Sequence, residues 1–155
     1  MLAKELTGRL EGKRVAVLGL AFKAGTDDVR NSVSIDIVQA LLKQKAVVRV
    51  YDPKAMENAK TMLDSEGVSY VPTALDCLKG ADCCIIATPW KEFSRIAPSD
   101  FKSLMRNPTV VDGSRIYDSS EMLEGGIRYA SVGISLQEDY PGEPEIRLFR
   151  DDPTS

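Results

Sequence analysis

The residue types best suited to binding chemistry crowd into one stretch of the chain, GLAFKAGTDDVR, from Gly19 to Arg30. Phe22 offers an aromatic face, Lys23 an ammonium, Asp27 and Asp28 paired carboxylates, and Arg30 a guanidinium. Arg30 falls just before a predicted helix start. Two cations flanking such a start suit a pyrophosphate, because both donate charge-assisted hydrogen bonds and the helix dipole adds to the attraction. The same spacing also suits solvated charges, with Asp27 and Asp28 neutralising Lys23 and Arg30 locally. Spacing alone leaves both readings open.

Several other chemistries are excluded by residue type. The chain has no histidine, which removes Ser-His-Asp and Cys-His catalysis and the commonest metal ligand. Cys77, Cys83 and Cys84 lack C-x-x-C spacing, and an adjacent pair in a strand points to opposite faces, so neither a disulfide framework nor a zinc site is expected. They read as small buried hydrophobes. Asp52 ends a predicted strand where a dinucleotide fold would place a ribose-binding acid, but beside Pro53 it reads as a turn residue, and Trp90 reads as packing. No residue is assigned a catalytic role and no metal is expected.

The elements that must position the loop follow from hydrophobic periodicity. RVAVLGL, Arg14 to Leu20, is a nearly continuous apolar run of strand length, as in a strand covered on both faces of a parallel sheet. A helix is predicted from about Ser32 to Gln44, with Asn31 or Ser32 as N-cap. Then come a strand at Val47 to Tyr51, a helix at Met56 to Ser65, a strand at Val68 to Val71 and a short helix at Ala74 to Lys79. Further strands are predicted at Asp82 to Ala87, Thr109 to Val111 and Ile127 to Val132. The helical segment Glu92 to Met105 is broken by Pro98, with Ser99 and Asp100 as a new N-cap. The alternation predicts an α/β fold, a three-layer doubly wound (Rossmann-like) domain with a mainly parallel sheet. In such folds ligands bind outside the carboxyl ends of the strands. Yet the glycine fingerprint is missing: Ala21 and Ala24 stand where the second and third glycines of G-x-G-x-x-G would follow Gly19.

At 155 residues the chain suits one domain. Residues 1–12 read as the end of a linking helix, 13–136 as the domain, and 137–155 as a loose, acidic, proline-containing tail. Twenty basic residues against 23 acidic ones, a net charge of -3, advertise no nucleic-acid or anionic-membrane partner. No apolar run reaches the roughly 18 residues of a membrane span, and MLAKELTGRLEGK is too polar for a signal peptide, so a cytoplasmic location is expected.

VAVLGLAFKAGTDDVRNS resembles the G-L-[AT]-F-K-x-G-T-D-D-x-R-x-S signature that opens the C-terminal, UDP-binding domain of the UDP-glucose/GDP-mannose dehydrogenase family. VRVYDP (Val48 to Pro53), ATPW (Ala87 to Trp90) and VVDGSRIYD (Val111 to Asp118) are similar to later family motifs, in order. The resemblance spans most of Gly12 to Gly133. It implies that Phe22 and Lys23 contact a nucleotide sugar, with Lys23 near its phosphates, and that Arg30 reaches the pyrophosphate of NAD held mainly by another domain. The family arginine after D-G binds substrate. This chain has Ser114 there and Arg115 one place on, so Arg115 replaces it only if the loop backbone shifts.

The resemblance further implies a parent enzyme that oxidises the C6 alcohol of a UDP-sugar to a carboxylate with NAD, through a thiohemiacetal and thioester on a cysteine of a segment outside this sequence. The expected partners are a UDP-sugar, the remaining N-terminal and central domains, and further copies in a homo-oligomer; the chain alone is expected to be inactive. Two alternatives stand beside this reading: a stand-alone nucleotide-binding or regulatory module, and a Rossmann-like interaction domain that takes no ligand.

Overall fold

The structure, a computed structural model, describes residues 9–63, 66–136 and 146–150, with the backbone path alone from residue 133 onward. Strand β1 (Arg14–Leu18) shows why the apolar run folds as it does. Val15 and Val17 enter one buried cluster, Ala16 and Leu18 the other. A strand alternates its side chains, so a strand with no polar face must be covered on both sides. Strand β4 (Cys83–Ile86) repeats this: Cys83 and Ile85 face the first cluster, Cys84 and Ile86 the second. The adjacent cysteines therefore point to opposite faces as expected.

Helix α1 (Val33–Lys43) buries Ile35, Ile37, Val38 and Leu41 against the first cluster, joined by Ala59 of α2 (Met56–Lys60). The second cluster takes Cys77 and Leu78 of α3 (Ala74–Leu78), Phe101 of α4 (Pro98–Leu104) and Met122 of α5 (Ser119–Glu124). Two helical layers thus sandwich the sheet. The other strands are β2 (Val47–Tyr51), β3 (Val68–Tyr70), β5 (Thr109–Asp112), β6 (Arg128–Leu136) and β7 (Ile146–Arg150). Their order across the sheet is β3-β2-β1-β4-β5-β6-β7, with β1 to β6 parallel and β7 antiparallel on β6. The chain moves outward from β1 to β2 and β3, then returns to place β4 on the other side of β1. The order reverses there, and this is where a doubly wound sheet opens a crevice at its carboxyl edge.

The structure corrects several local expectations. Ser32 holds the N-cap position of α1 without capping it; its hydroxyl donates instead to the Leu20 carbonyl, at 2.7 Å. Helix α2 ends at Lys60, short of the expected Ser65, which lies outside the described residues. Pro98 is the first residue of α4 rather than a break preceding an N-cap. Ala97 is the N-cap, and the Asp100 carboxylate accepts its N–H at 2.9 Å. Helix α5 was not expected, although Asp118 and Glu121 stand three apart and the Asp118 side chain caps the Glu121 N–H at 3.1 Å. The segment expected as a loose tail contains β7, paired from Ile146 to Arg150 with Leu136 to Val132. The expected linking helix is mostly outside the described residues. Among the described residues no helix is long and apolar enough to cross a membrane, and none of their His, Cys, Asp and Glu side chains group as a metal site.

Candidate functional site

The carboxyl edge at the β1–β4 junction is built by unusually tight backbone contact. Gly19 leaves β1 with φ of 98°, a conformation that disfavours a side chain, and its N–H donates to Tyr51 O at 2.8 Å. Thr88, just past β4, fills the space above it and donates its hydroxyl to the Ala21 carbonyl at 3.0 Å.

The next turn closes on Asp52. This fully buried carboxylate accepts from the Leu20 N–H at 2.7 Å and the Ala21 N–H at 2.9 Å. It also accepts from the Trp90 indole N–H at 3.0 Å, the Lys54 N–H at 2.9 Å and the Ala55 N–H at 2.8 Å. The turn-residue reading of Asp52 is right but incomplete, since its carboxylate ties together the ends of β1, β2 and β4. Trp90 packs against both apolar clusters and spends its polar handle on Asp52.

Beyond Ala21 the loop projects. Phe22 is 58% exposed and Lys23 is exposed. Phe22 is thus an aromatic side chain exposed beside a cation, while its neighbours Leu20 and Ala21 are buried. The rest of the loop is folded on itself. Phe22 N–H donates to Asp28 O at 2.7 Å, Thr26 Oγ1 accepts from Asp28 N–H at 3.2 Å, and Asn58 Nδ2 donates to Asp27 O at 2.9 Å. Asp28 grips Arg30, whose Nε lies 3.1 Å from Oδ1 and whose Nη2 lies 3.0 Å from Oδ2. That bond holds the Asp28 carboxyl below the ordinary carboxylate range and raises the guanidinium. Arg30 remains 86% exposed all the same, so Asp28 sets its direction without enclosing it. An open groove of about 440 Å³ runs beside the loop, lined by Gly25, Thr26, Asp27 and Lys54. Lys54 is a cation that sequence reasoning missed; only its place three residues past the end of β2 could have suggested it.

A second loop reaches the same edge from β5. Its organiser is Asp112, buried at the strand end. Oδ1 accepts from Ser114 N–H at 3.1 Å; Oδ2 accepts from Ile116 N–H at 2.9 Å, Tyr117 N–H at 3.1 Å and the Tyr129 hydroxyl at 2.7 Å. Ser114 is half-buried in this turn. Arg115 is exposed and takes φ of 55°, in the left-handed region. The backbone therefore does not run extended through 114 and 115. β1 and β5 flank β4, and strands about 4.8 Å apart put the two loops on one edge, roughly 10 Å from each other. Phe22, Lys23, Ser114 and Arg115 thus share an edge across the switch point, with Arg30 at the far end of the first loop.

The thiols take no part. Cys77 and Cys83 are pushed up to about 12 by burial, and burial raises Cys84 as well. A nucleophilic thiol needs the opposite shift.

Residues 16–119, more than half of the chain, match the profile of the UDP-glucose/GDP-mannose dehydrogenase family, UDP binding domain. The chain belongs to this family and carries its UDP binding domain. It is 41% identical over 135 residues to the UDP-glucose 6-dehydrogenase of Rickettsia conorii, a match that covers 87% of this chain and 31% of that one. It is 46% identical over 115 residues to UDP-glucose 6-dehydrogenase of Haloferax volcanii, covering 74% of this chain and 26% of the relative. The solved UDP-glucose dehydrogenase of Pyrobaculum islandicum superposes with a TM-score of 0.67 at 38% identity, over 77% of this chain and 26% of that one. The UDP binding domain described here therefore spans about a third or less of the length of such relatives. In its doubly wound core, the expectation of a Rossmann-like α/β fold is met.

Proposed function

We propose that the domain holds the nucleotide end of a UDP-sugar on the carboxyl edge of its sheet, as one part of an NAD-dependent UDP-sugar 6-dehydrogenase. The observation that carries this is the pairing of exposed Phe22 with exposed Lys23 immediately beyond the immobilised Leu20–Ala21 turn. Phe22 offers an apolar plane for a base or sugar, and Lys23 a point charge for phosphate. Arg115 is exposed on a left-handed backbone, which supports a role for it in place of the arginine missing at Ser114.

NAD does not fit the turn after β1, whose N–H donors are already taken. Its pyrophosphate meets Arg30 alone, from a site furnished by the rest of the enzyme. In that enzyme the C6 alcohol loses two hydrides and gains one oxygen from water to become a carboxylate. The thiolate for that chemistry comes from elsewhere in the protein, since the three thiols here are buried and held protonated. Residues 13–136 form the binding unit, 1–12 link it to the other domains, and copies assemble as a homo-oligomer in the cytoplasm.

Calorimetric titration of the chain with UDP, set against pyrophosphate and a salt control, tests the reading. Binding of UDP that exceeds binding of pyrophosphate, and that is lost in Lys23→Ala, supports it; heats equal to the salt control refute it.

A further inference from the structure

The turn after β1 sits where a doubly wound sheet accepts ligand phosphate, at the switch point and just past the central strand. The peptide groups of Leu20 and Ala21 in it are nevertheless all engaged internally. The Leu20 and Ala21 N–H groups both donate to Asp52 Oδ2, at 2.7 and 2.9 Å. Their carbonyls accept from the Ser32 hydroxyl at 2.7 Å and the Thr88 hydroxyl at 3.0 Å. Ala21 occupies the position at which the glycine fingerprint lets the backbone approach pyrophosphate, and Asp52 directly follows β2, where the fingerprint's acid holds a ribose. The two halves of a dinucleotide grip are therefore bonded to each other.

We propose that Asp52 is the positioning residue of this site: its carboxylate is an internal anion standing in the place of a ligand phosphate, which closes the turn to dinucleotides and fixes the direction in which Phe22 and Lys23 leave it. Five N–H groups converge on the two oxygens, close to the roughly four lone-pair sites a carboxylate offers, so the group is saturated. A second anion brought to the turn would meet like charge and no remaining donor. Phe22 and Lys23 follow Ala21 directly, so their exit vector is set by peptide groups held from three elements: β2 through Asp52, the start of α1 through Ser32, and the end of β4 through Thr88. The role toward Phe22 and Lys23 rests on the UDP reading above; the closure of the turn does not.

Amide exchange and ¹⁵N spectra of the full chain read both parts, with Trp90, the one tryptophan in the sequence, giving a single indole signal. In the unaltered protein the Leu20 and Ala21 amides should exchange at least about 100-fold more slowly than those of Lys23 and Gly25. Saturating NAD should leave these amides and the indole signal unmoved, whereas UDP should shift Phe22 and Lys23. Asp52→Asn should speed exchange at Leu20 and Ala21 and move the indole signal. It should also weaken UDP about tenfold, the effect of misdirecting a charged contact, while Val15 to Leu18 stay protected. Trp90→Phe removes one donor and keeps the carboxylate, so both amides should remain slow.

Leu20 and Ala21 amides as fast as Lys23 in the unaltered protein, or displaced by NAD, overturn the proposal even where Asp52→Asn fails to fold. Unchanged UDP affinity in a folded Asp52→Asn overturns the positioning role. Absence of UDP binding in the unaltered protein refutes the UDP reading and with it that role, while the amides still decide whether Asp52 closes the turn.

Discussion

Gly19 and Thr88 meet so closely that a Cβ added to Gly19 would lie 2.4 Å from the Thr88 Cβ and 2.6 Å from its backbone nitrogen. The ends of β1 and β4 are thereby pressed together at the point where strand order reverses, and the site's floor is backbone against backbone. Gly19→Ala combines this clash with a positive φ of 98°. It should cost about 2 to 4 kcal/mol, from overpacking together with backbone strain. Urea unfolding measures it. Adding Thr88→Gly should restore only part of the loss, because the Thr88 nitrogen remains too near.

Lys23 and Arg30 lie on one loop but are proposed to serve different ligands. In the enzyme that carries this domain, Lys23→Ala should weaken nucleotide-sugar use by about 1.5 to 3 kcal/mol, the worth of a hydrogen bond to a charged group. Arg30→Ala should raise the Michaelis constant for NAD with little effect on the sugar. Steady-state kinetics with each substrate varied in turn separates them. Loss of sugar binding in Arg30→Ala with NAD untouched would contradict the division.

Asp28 gives a pH signature. Its folded-state pKa is lowered, first by the side-chain bond to Arg30, so its contribution is present above the unfolded value and is lost as pH falls through the lower folded one. Because the pair is exposed, its effect is on loop order rather than on global stability. A carbon-detected NMR titration should place Asp28 below an ordinary aspartate, and Arg30→Ala should return it to that range.

The cysteines should be inert until the protein unfolds. With Cys77 and Cys83 raised to about 12 from 9.0, they stay protonated at pH 8. The stability associated with them is fully present below pH 9 and falls as pH rises toward 12, because the unfolded chain ionises first. Ellman's reagent at pH 8 should find no reactive thiol among the three before denaturant is added. Rapid labelling of the native protein would contradict their burial.

Tyr129 tests the second organising carboxylate. Tyr129→Phe deletes the 2.7 Å bond to Asp112 and should cost about 1.5 kcal/mol, measured by urea unfolding. The loss should shrink to near zero in an Asp112→Asn background if the two act as one unit.

The sheet was legible because its strands carry no polar face: Val15 to Leu18 and Cys83 to Ile86 alternate between two buried clusters. The loop stood out through residue types, an aromatic and two cations among turn formers, whereas the exposure of Phe22 and Lys23 is visible only in the fold. Asp52 and Asp112 were harder to read. A strand-ending aspartate looks like any turn former, and the number of N–H groups it will gather depends on which strand ends arrive beside it. Trp90 donates to Asp52 from 38 residues away, a contact that only the β2-β1-β4 order brings about. Helix α5 escaped because six residues with one buried side chain, Met122, give no periodicity to detect.

Strand β6 pairs with two neighbours in succession. Arg128 to Ser131 lie beside β5, while Val132 to Leu136 pair only with β7. Past Ser131 the parallel sheet has ended and a two-stranded antiparallel ribbon continues, set against α1. Such a ribbon has no second sheet neighbour and is marginal by itself. The ribbon is therefore expected to behave as a weaker cooperative unit than the core. The ribbon should open and reclose many times within the lifetime of a single folded core, as a subglobal fluctuation that leaves Asp52 and its five donors in place.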